Sequence, residues 1–318
     1  MDGQDGAAPA RPAGHSLWGY AWRRLHRDRV AVLCLGVIGL YALLAVGGVT
    51  YEWLAARSPD DGLREYVEMA DASRRYDPPR WEWSWYMLGA DWEGKPVLIK
   101  TLLGAKVAMA VGLIANLIAV PLGILLGVIA GYYGGKADSV IVWLFSTLAS
   151  IPGIILLIAL KFAFKGVTLF GMDLSGIYGM YLALGVVSWI GTCRLVRAET
   201  LKIRELDYVL AARAAGRRRS AIVLRHIVPN VFHIGIISFS LGFVTAVQSE
   251  VILSYLGLGV GAGQSSWGRM INSARSALFA GRWWELTAAV VALFFLVLAL
   301  NLFGDRLRDA LDPRLRGV

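Results

Sequence analysis

Long, nearly uncharged apolar runs recur along this chain of 318 residues and constrain its fold more than any other feature. A helix rises 1.5 Å per residue, so about 20 apolar residues cross the ~30 Å hydrocarbon layer of a bilayer. Runs of roughly this length occupy six stretches: 30–53, 102–130, 140–160, 177–192, 231–256 and 284–303. Because 57% of the residues are hydrophobic and the mean hydropathy is +0.56, we expect an all-α membrane protein with six transmembrane helices.

The distribution of charge predicts which side of the membrane each segment faces. The net charge is +9, and Lys and Arg collect in the cytoplasmic loops of membrane proteins. Arginines crowd three places: just before the first run, after the fourth run and at the C-terminal end. If all three are cytoplasmic, the number of spans is even, as six is. We therefore expect cytoplasmic tails at 1–29 and 306–318, a retained first helix at 30–55, and contacts with membrane lipid rather than nucleic acid.

A polar segment at 56–100 carries charges of both signs that nearly cancel. The lack of positive bias predicts a periplasmic or extracellular loop. Its tryptophans form either an aromatic belt at the lipid headgroups, which we favour, or a docking face for an outside partner; they are Trp81, Trp83, Trp85 and Trp92. The stretch 257–283, between the fifth and sixth runs, is also predicted to be an outward loop.

The basic segment between the fourth and fifth runs reads YVLAARAAGRRRSAIVLRHIVPN over 208–230. Residues 205–215 are good helix formers, and Gly216 stands where such a helix would end, because glycine adopts the left-handed conformation cheaply. A second helical stretch at 220–227, with Ser220 as its candidate cap, leads to Pro229 in the first turn of the next helix. The alanines let another surface approach the backbone closely, so the segment has the form of a plug for a groove on a separate protein.

Four ordered motifs resemble one family of transport proteins. AARAAG at 211–216, followed by Val228 and Pro229, resembles the EAA loop of permease subunits of binding-protein-dependent ABC importers. Three further stretches are similar to the dipeptide, oligopeptide and nickel branch: LGADWEGKPVLIKTLLGAKVAMAVGL at 88–113, SEVILSYLGLGV and SWG within 249–268, and NLFGDRLRDALDPRLR at 301–316. The resemblance points to the second, C-type permease of the pair, with a type I importer fold whose core spans 101–305 and whose EAA loop spans about 199–230.

The resemblance also implies partners. A permease of this family is non-catalytic and binds no cofactor, while two ATP-binding subunits use ATP and Mg. A second permease completes a heterodimer, and an extracytoplasmic binding protein delivers the solute, here most simply a peptide, at a bacterial inner membrane. The residues implied to couple to the ATPase are Asp207, Ala211, Ala212, Arg213, Gly216 and Arg219. Leu210 departs from the family pattern, which has an acidic residue there.

The translocation pathway has three candidate residues, Pro152, Gln248 and Glu250. Pro152 falls inside the third run, where a proline kinks a helix and makes a plausible gate hinge. A carboxylate in hydrocarbon is costly, so Glu250 needs a cavity or a partner group; a structural hydrogen bond is favoured over the pore wall. Lys161 and Lys165 are expected to reach the membrane interface.

Other classes of protein fit the sequence less well. An ion- or proton-coupled secondary transporter remains the alternative. The two halves of the chain do not resemble each other, however, and Glu250 by itself offers too few titratable groups for a proton relay. An intramembrane enzyme needs a nucleophile with a base or paired acids, which no motif supplies. Two cysteines and four histidines show no metal-ligand spacing, so no metal site is expected.

Overall fold

The computed structural model describes residues 23–57, 70–261 and 264–311. Much of the predicted N-terminal tail, part of the predicted loop at 56–100 and the end of the C-terminal tail lie outside these residues. The helices are, in chain order, α1 Arg29–Arg57, α2 Val97–Tyr133, α3 Gly135–Ala149, α4 Gly153–Ala163, α5 Ile177–Ile203, α6 Asp207–Ala214, α7 Arg219–Ile222, α8 Val228–Tyr255, α9 Trp267–Phe279 and α10 Trp284–Leu311. A two-stranded hairpin, β1 Thr168–Leu169 and β2 Met172–Asp173, joins α4 to α5.

Within the described residues, five helical stretches are long and apolar enough to cross a membrane: α1, α2, α5, the continuous stretch Arg219–Tyr255 and α10. The pair α3 and α4 makes a sixth crossing if it is counted as one broken span. The predicted all-α membrane fold is confirmed.

The third predicted span is not the single helix expected at 140–160. Helix α3 ends at Ala149, α4 begins at Gly153, and the two are bent by 93°. Pro152 precedes the first residue of α4 and has extended backbone angles. Proline has no N–H to donate, and it disfavours helical geometry at the residue before it, so a break rather than a kink forms here.

Several helices extend beyond their apolar runs. Helix α2 begins at Val97, inside the stretch predicted as loop, and α5 continues to Ile203, well past the predicted end of the fourth span. Helix α10 continues to Leu311, into the predicted C-terminal tail. Backbone hydrogen bonding in a helix does not stop where the hydrocarbon layer stops, so hydropathy alone underestimates these lengths.

Close packing of α2 on α5 forms the centre of the bundle. Glycines recur on α2 at every fourth residue, at Gly123, Gly127 and Gly131, and face Thr192, Val196 and Thr200 on α5, respectively. A Cβ added at Gly123 or Gly131 would lie 2.6 Å from a threonine Cβ, and one at Gly127 would lie 2.8 Å from a backbone carbonyl oxygen of α5. Small residues at this spacing let two membrane helices approach backbone to backbone.

The predicted outward loop at 257–283 contains a helix. Ser266 caps α9 by accepting a hydrogen bond from the N–H of Arg269 at 3.2 Å. Trp267 is only 1% exposed, and its Nε1 donates to the carbonyl oxygen of Thr101 in α2 at 2.9 Å. Met270 and Ala274 continue the same buried face at helical spacing. The connection between the fifth and sixth runs is therefore partly helical, which the sequence analysis did not assign.

The basic segment joins the fifth span without a break. Helix α7 begins at Arg219, with Arg218 rather than Ser220 before it and no side-chain cap, so the expected Ser220 cap is wrong. A π turn at Val223–Ile227 connects α7 to α8, and the N–H of Val228 bonds the carbonyl of Val223. Pro229 has no backbone N–H and cannot donate the hydrogen bond of a regular helix. A wider π turn just before it keeps the helix continuous.

Candidate coupling and translocation sites

Helix α6 is a short arm anchored by one buried side chain. Val209 is fully buried in an apolar cluster where α5, α7 and α8 meet. The other described members of that cluster include Ile203, Ile222, Ile227 and Val231. Most of the remaining α6 side chains are exposed. The arm is therefore held on one side and open on the other.

Gly216 ends α6 as the sequence predicts. Its φ is +72°, its N–H donates to the carbonyl of Arg213 at 3.0 Å, and the N–H of Arg217 donates to the carbonyl of Ala212 at 3.2 Å. This is the Schellman arrangement, which requires a residue in the left-handed region. A Cβ at Gly216 would meet nothing within 4 Å, so the need for glycine here arises from the backbone and not from crowding.

The six residues implied to couple to an ATPase lie on one continuous surface of α6, its terminal turn and the start of α7. Ala212 is half-buried against the apolar cluster, and the other five are exposed. We call this the coupling surface; its members are Asp207, Ala211, Ala212, Arg213, Gly216 and Arg219. Leu210 lies beside it and is 39% exposed.

Tyr208 of α6, next to the coupling surface, contacts the start of α8. The sequence analysis did not predict these contacts. The rings of Tyr208 and His226 lie 5.9 Å apart, centroid to centroid. The Nδ2 of Asn230 donates to the carbonyl oxygen of His226 at 2.6 Å and to the Tyr208 hydroxyl oxygen at 3.3 Å. These contacts hold α6 against the start of α8.

Arg197 of α5 and Arg204, the residue that follows α5, tie the same region to α3 and α2. Arg197 donates from Nε and Nη2 to the two carboxylate oxygens of Asp138, at 2.5 and 2.7 Å. Arg204 donates from Nη1 to the carbonyl of Gly131 at 2.9 Å. A bidentate guanidinium–carboxylate pair fixes orientation as well as distance, so α5 and α3 are linked rigidly at this end of the bundle.

The pathway candidates on α8 point to opposite sides. Glu250 is 1% exposed, and its Oε1 accepts a hydrogen bond from the Ser254 hydroxyl at 2.6 Å. Gln248 is exposed, on the same face as Leu241, Thr245 and Ile252. The burial of Glu250 within the bundle of this chain favours the structural interpretation, whereas Gln248 faces away from the bundle.

Two matches to family models identify the chain. A model described as "Binding-protein-dependent transport system inner membrane component" matches residues 123–317. A second, described as "N-terminal TM domain of oligopeptide transport permease C", matches residues 16–79. The chain belongs to this permease family.

Relatives of this family match almost the whole chain. The oligopeptide transport system permease protein OppC of Escherichia coli (strain K12) is 37% identical over 304 residues, covering 95% of this chain and 92% of the relative. The dipeptide transport system permease protein DppC of Bacillus subtilis (strain 168) is 32% identical over 296 residues, covering 93% and 85%. The glutathione transport system permease protein GsiD of Pectobacterium atrosepticum is 33% identical over 299 residues, covering 94% and 92%.

The permease carries a buried ion cluster at the end of the bundle opposite the coupling surface. Lys100 Nζ lies 2.6 Å from Asp91 Oδ2 and 2.5 Å from Glu285 Oε1, and Ser273 donates to that Oε1 at 3.0 Å. Asp91 and Glu285 are 1% and 3% exposed. We call these four residues the outer ion cluster. It joins the segment before α2, α2 itself, α9 and α10.

Asp91 also organises the loop that precedes α2. Its Oδ1 accepts hydrogen bonds from the N–H groups of Glu93 and Lys95, both at 2.8 Å. Sequence reasoning counted Asp91 and Lys100 among the balanced charges of an outward loop and so missed this role. The signal available was Lys100 beside a long apolar run, since a lysine at the edge of hydrocarbon needs a partner.

Lys161 does not reach the membrane interface as expected. It is 7% exposed, and its Nζ donates to the carbonyl oxygens of Ser175 and Gly176 at 2.6 and 2.5 Å. The turn that precedes α5 supplies acceptors within reach, so the ammonium is satisfied inside the protein. Lys165 is exposed.

The two interpretations of the tryptophans at 81–92 both stay open. Trp81 and Trp83 are almost fully exposed, while Trp85 and Trp92 are about half exposed. Exposure of this degree suits lipid headgroups and a protein partner equally.

Proposed function

We propose that this permease is one of two membrane subunits of an ATP-driven importer and that it receives peptides from an extracytoplasmic binding protein. The observation that carries this proposal is the coupling surface, a basic helical arm anchored by Val209 and open on its outer side. ATP and Mg are used by two ATP-binding subunits, and this chain is a non-catalytic partner to them. It resides in a bacterial inner membrane with both termini in the cytoplasm.

The docked arm acts as a rigid lever. When the ATP-binding subunits close, they displace α6, and its contacts with α8 and the Arg197–Asp138 link carry the movement into the spans. The exposed face of α8 then moves against the second permease. Because Thr245 and Gln248 place polar groups on that face, they line the pathway between the subunits. The break at Pro152 is the hinge of the moving span.

Peptide is the proposed substrate class because the named relatives are permeases of dipeptide, oligopeptide and glutathione transport systems. All three names describe short peptides. Within the described residues, the buried charged side chains find hydrogen-bond partners inside the chain, so recognition of charged peptide ends falls mainly to the binding protein.

Gly216→Val tests the coupling role. Valine in the left-handed region is strained, so the turn that fixes α6 is displaced while the apolar anchor at Val209 remains. We expect the tagged chain to co-purify with a second permease and ATP-binding subunits, and the variant to lose peptide uptake in vesicles while hydrolysis of ATP continues.

Gly281→Val is the matched control. Gly281 also has a positive φ, +77°, with nothing within 4 Å of an added Cβ, and it ends α9 in the same hydrogen-bonded turn. The two variants suffer the same backbone strain, but only one lies at the coupling surface. Normal uptake by Gly216→Val, or equal loss of uptake in both variants, would refute the coupling role. Recovery of a lone chain that transports solute under an ion gradient would favour a secondary transporter instead.

A further inference from the structure

A separate cavity of about 320 Å³ lies between the end of α2, the end of α5 and the back of α6. We call it the arginine cleft; its lining residues are Tyr132, Tyr133, Arg204, Glu205, Arg213 and Arg219. Three of these side chains are cationic and one is anionic, which leaves an excess of two positive charges. Arg213 and Arg219 also belong to the coupling surface, whereas none of the six residues belongs to the outer ion cluster or to the exposed face of α8.

The cleft is built from constrained side chains. Arg204 is held by the carbonyl of Gly131 and by the carboxylate of Glu205, which its Nε contacts at 2.8 Å. Arg213 turns back toward the bundle, and its guanidinium carbon lies 6.0 Å from the centre of the Tyr132 ring. Tyr132 is 7% exposed and forms a fixed wall. The guanidinium of Arg213 thus lines the cleft beside the Tyr132 ring, although the residue is exposed.

The charges of the cleft lack internal compensation. Within the part of the chain that the structure describes, neither Arg213 nor Arg219 makes an ion pair with an acidic side chain. Planar guanidinium groups that converge on a small cavity suit a tetrahedral oxyanion, because each offers parallel N–H donors.

The position of the cleft indicates where such an anion comes from. Tyr132 and Tyr133 are the last residues of the long apolar helix α2, and tyrosines are enriched where a span meets the lipid headgroups. Basic pockets between helices at this level bind anionic headgroups. We propose that the arginine cleft is a binding site for a phosphate group, carried by an anionic phospholipid or free in solution.

The proposal is tested by measuring the melting temperature with and without added ligand. The sample is the full-length chain, purified with its co-purifying subunits and delipidated. The probes are inorganic phosphate, short-chain phosphatidylglycerol and short-chain phosphatidylcholine. We expect phosphatidylglycerol, inorganic phosphate or both to raise the melting temperature in a saturable manner. Stabilisation by phosphatidylglycerol alone assigns a lipid headgroup, and stabilisation by inorganic phosphate as well assigns the phosphate group itself.

Variants locate the site. Arg213→Gln removes a donor from the cleft and should weaken the apparent affinity about tenfold, the usual effect of losing one charge-assisted hydrogen bond. Arg225→Gln is the control, because Arg225 is exposed in the same basic segment but does not line the cleft. Equal weakening in both variants would mean diffuse surface charge, and no stabilisation by any anionic probe would mean that the cleft serves only as a protein contact. Either result overturns the proposal.

Discussion

Replacement of Lys100 by methionine is the sharpest test of how the end of the bundle opposite the coupling surface is held together. The ammonium lies within 2.6 Å of two carboxylates that are 1% and 3% exposed. Methionine keeps the length of the side chain but leaves Asp91 and Glu285 close together, buried and without a cation. Removing one partner of a buried ion pair costs roughly 3–5 kcal/mol, because the remaining charge is uncompensated.

Lys106→Met provides a matched comparison on the same helix. Lys106 pairs with Glu52, whose side chain is 39% exposed, so water screens the carboxylate that remains. An ion pair of this exposure contributes at most about 1 kcal/mol. The two variants remove the same group from the same helix and differ mainly in how deeply the remaining carboxylates are buried.

Thermal unfolding of the purified chain in detergent, followed by tryptophan fluorescence, measures the difference. At roughly 2–4 °C per kcal/mol, Lys100→Met should lower the melting temperature on the order of 10 °C, and Lys106→Met by only a few degrees. The triple variant Asp91→Asn, Lys100→Met, Glu285→Gln should recover part of the loss, since it leaves no buried charge. If Lys100→Met proved as stable as Lys106→Met, the outer ion cluster would not stabilise the fold.

Three further predictions follow from the packing. Gly127→Val places a side chain against the α5 backbone and should cost about 1–3 kcal/mol or more of thermal stability, whereas Gly191→Val, with nothing within 4 Å of its Cβ, should be tolerated. Glu250→Gln should keep peptide uptake but lower the melting temperature; unchanged stability with lost uptake would instead place Glu250 on the pathway. Pro152→Ala should slow uptake by letting α3 and α4 join, and an unchanged uptake rate would remove the hinge.

Turn chemistry predicted where α6 ends, and hydropathy predicted where the spans lie. The end of α6 at Gly216 follows from local physics, because glycine there satisfies two hydrogen bonds that a β-branched residue would strain. The apolar runs located the spans for a similar reason, since only a helix satisfies its own backbone in lipid. These features depend on neighbours in sequence.

What the sequence did not predict depends on neighbours in space. The Ser266 cap and the spacing of Trp267 and Met270 are typical of a helix. The stretch is too short and too polar to span a membrane, however, and the prediction was a loop. The break at 150–152 needed knowledge that α4 packs on α5 at a large angle to α3. The partner of Lys100 lies 185 residues away, at Glu285, and no local pattern reports such a pairing.

Charges in or beside apolar runs follow one physical rule in this permease. Lys161 and Glu250 are buried, Lys100 is half-buried, and each has a hydrogen-bond partner within the chain. Their cost in a low-dielectric environment is offset internally, so none of them requires a pore. Gln248 is different: it lies on an exposed face of α8 and makes no hydrogen bond within the described residues. A polar amide exposed to lipid is costly, which supports the proposal that the Gln248 face of α8, and not the Glu250 face, lines the pathway.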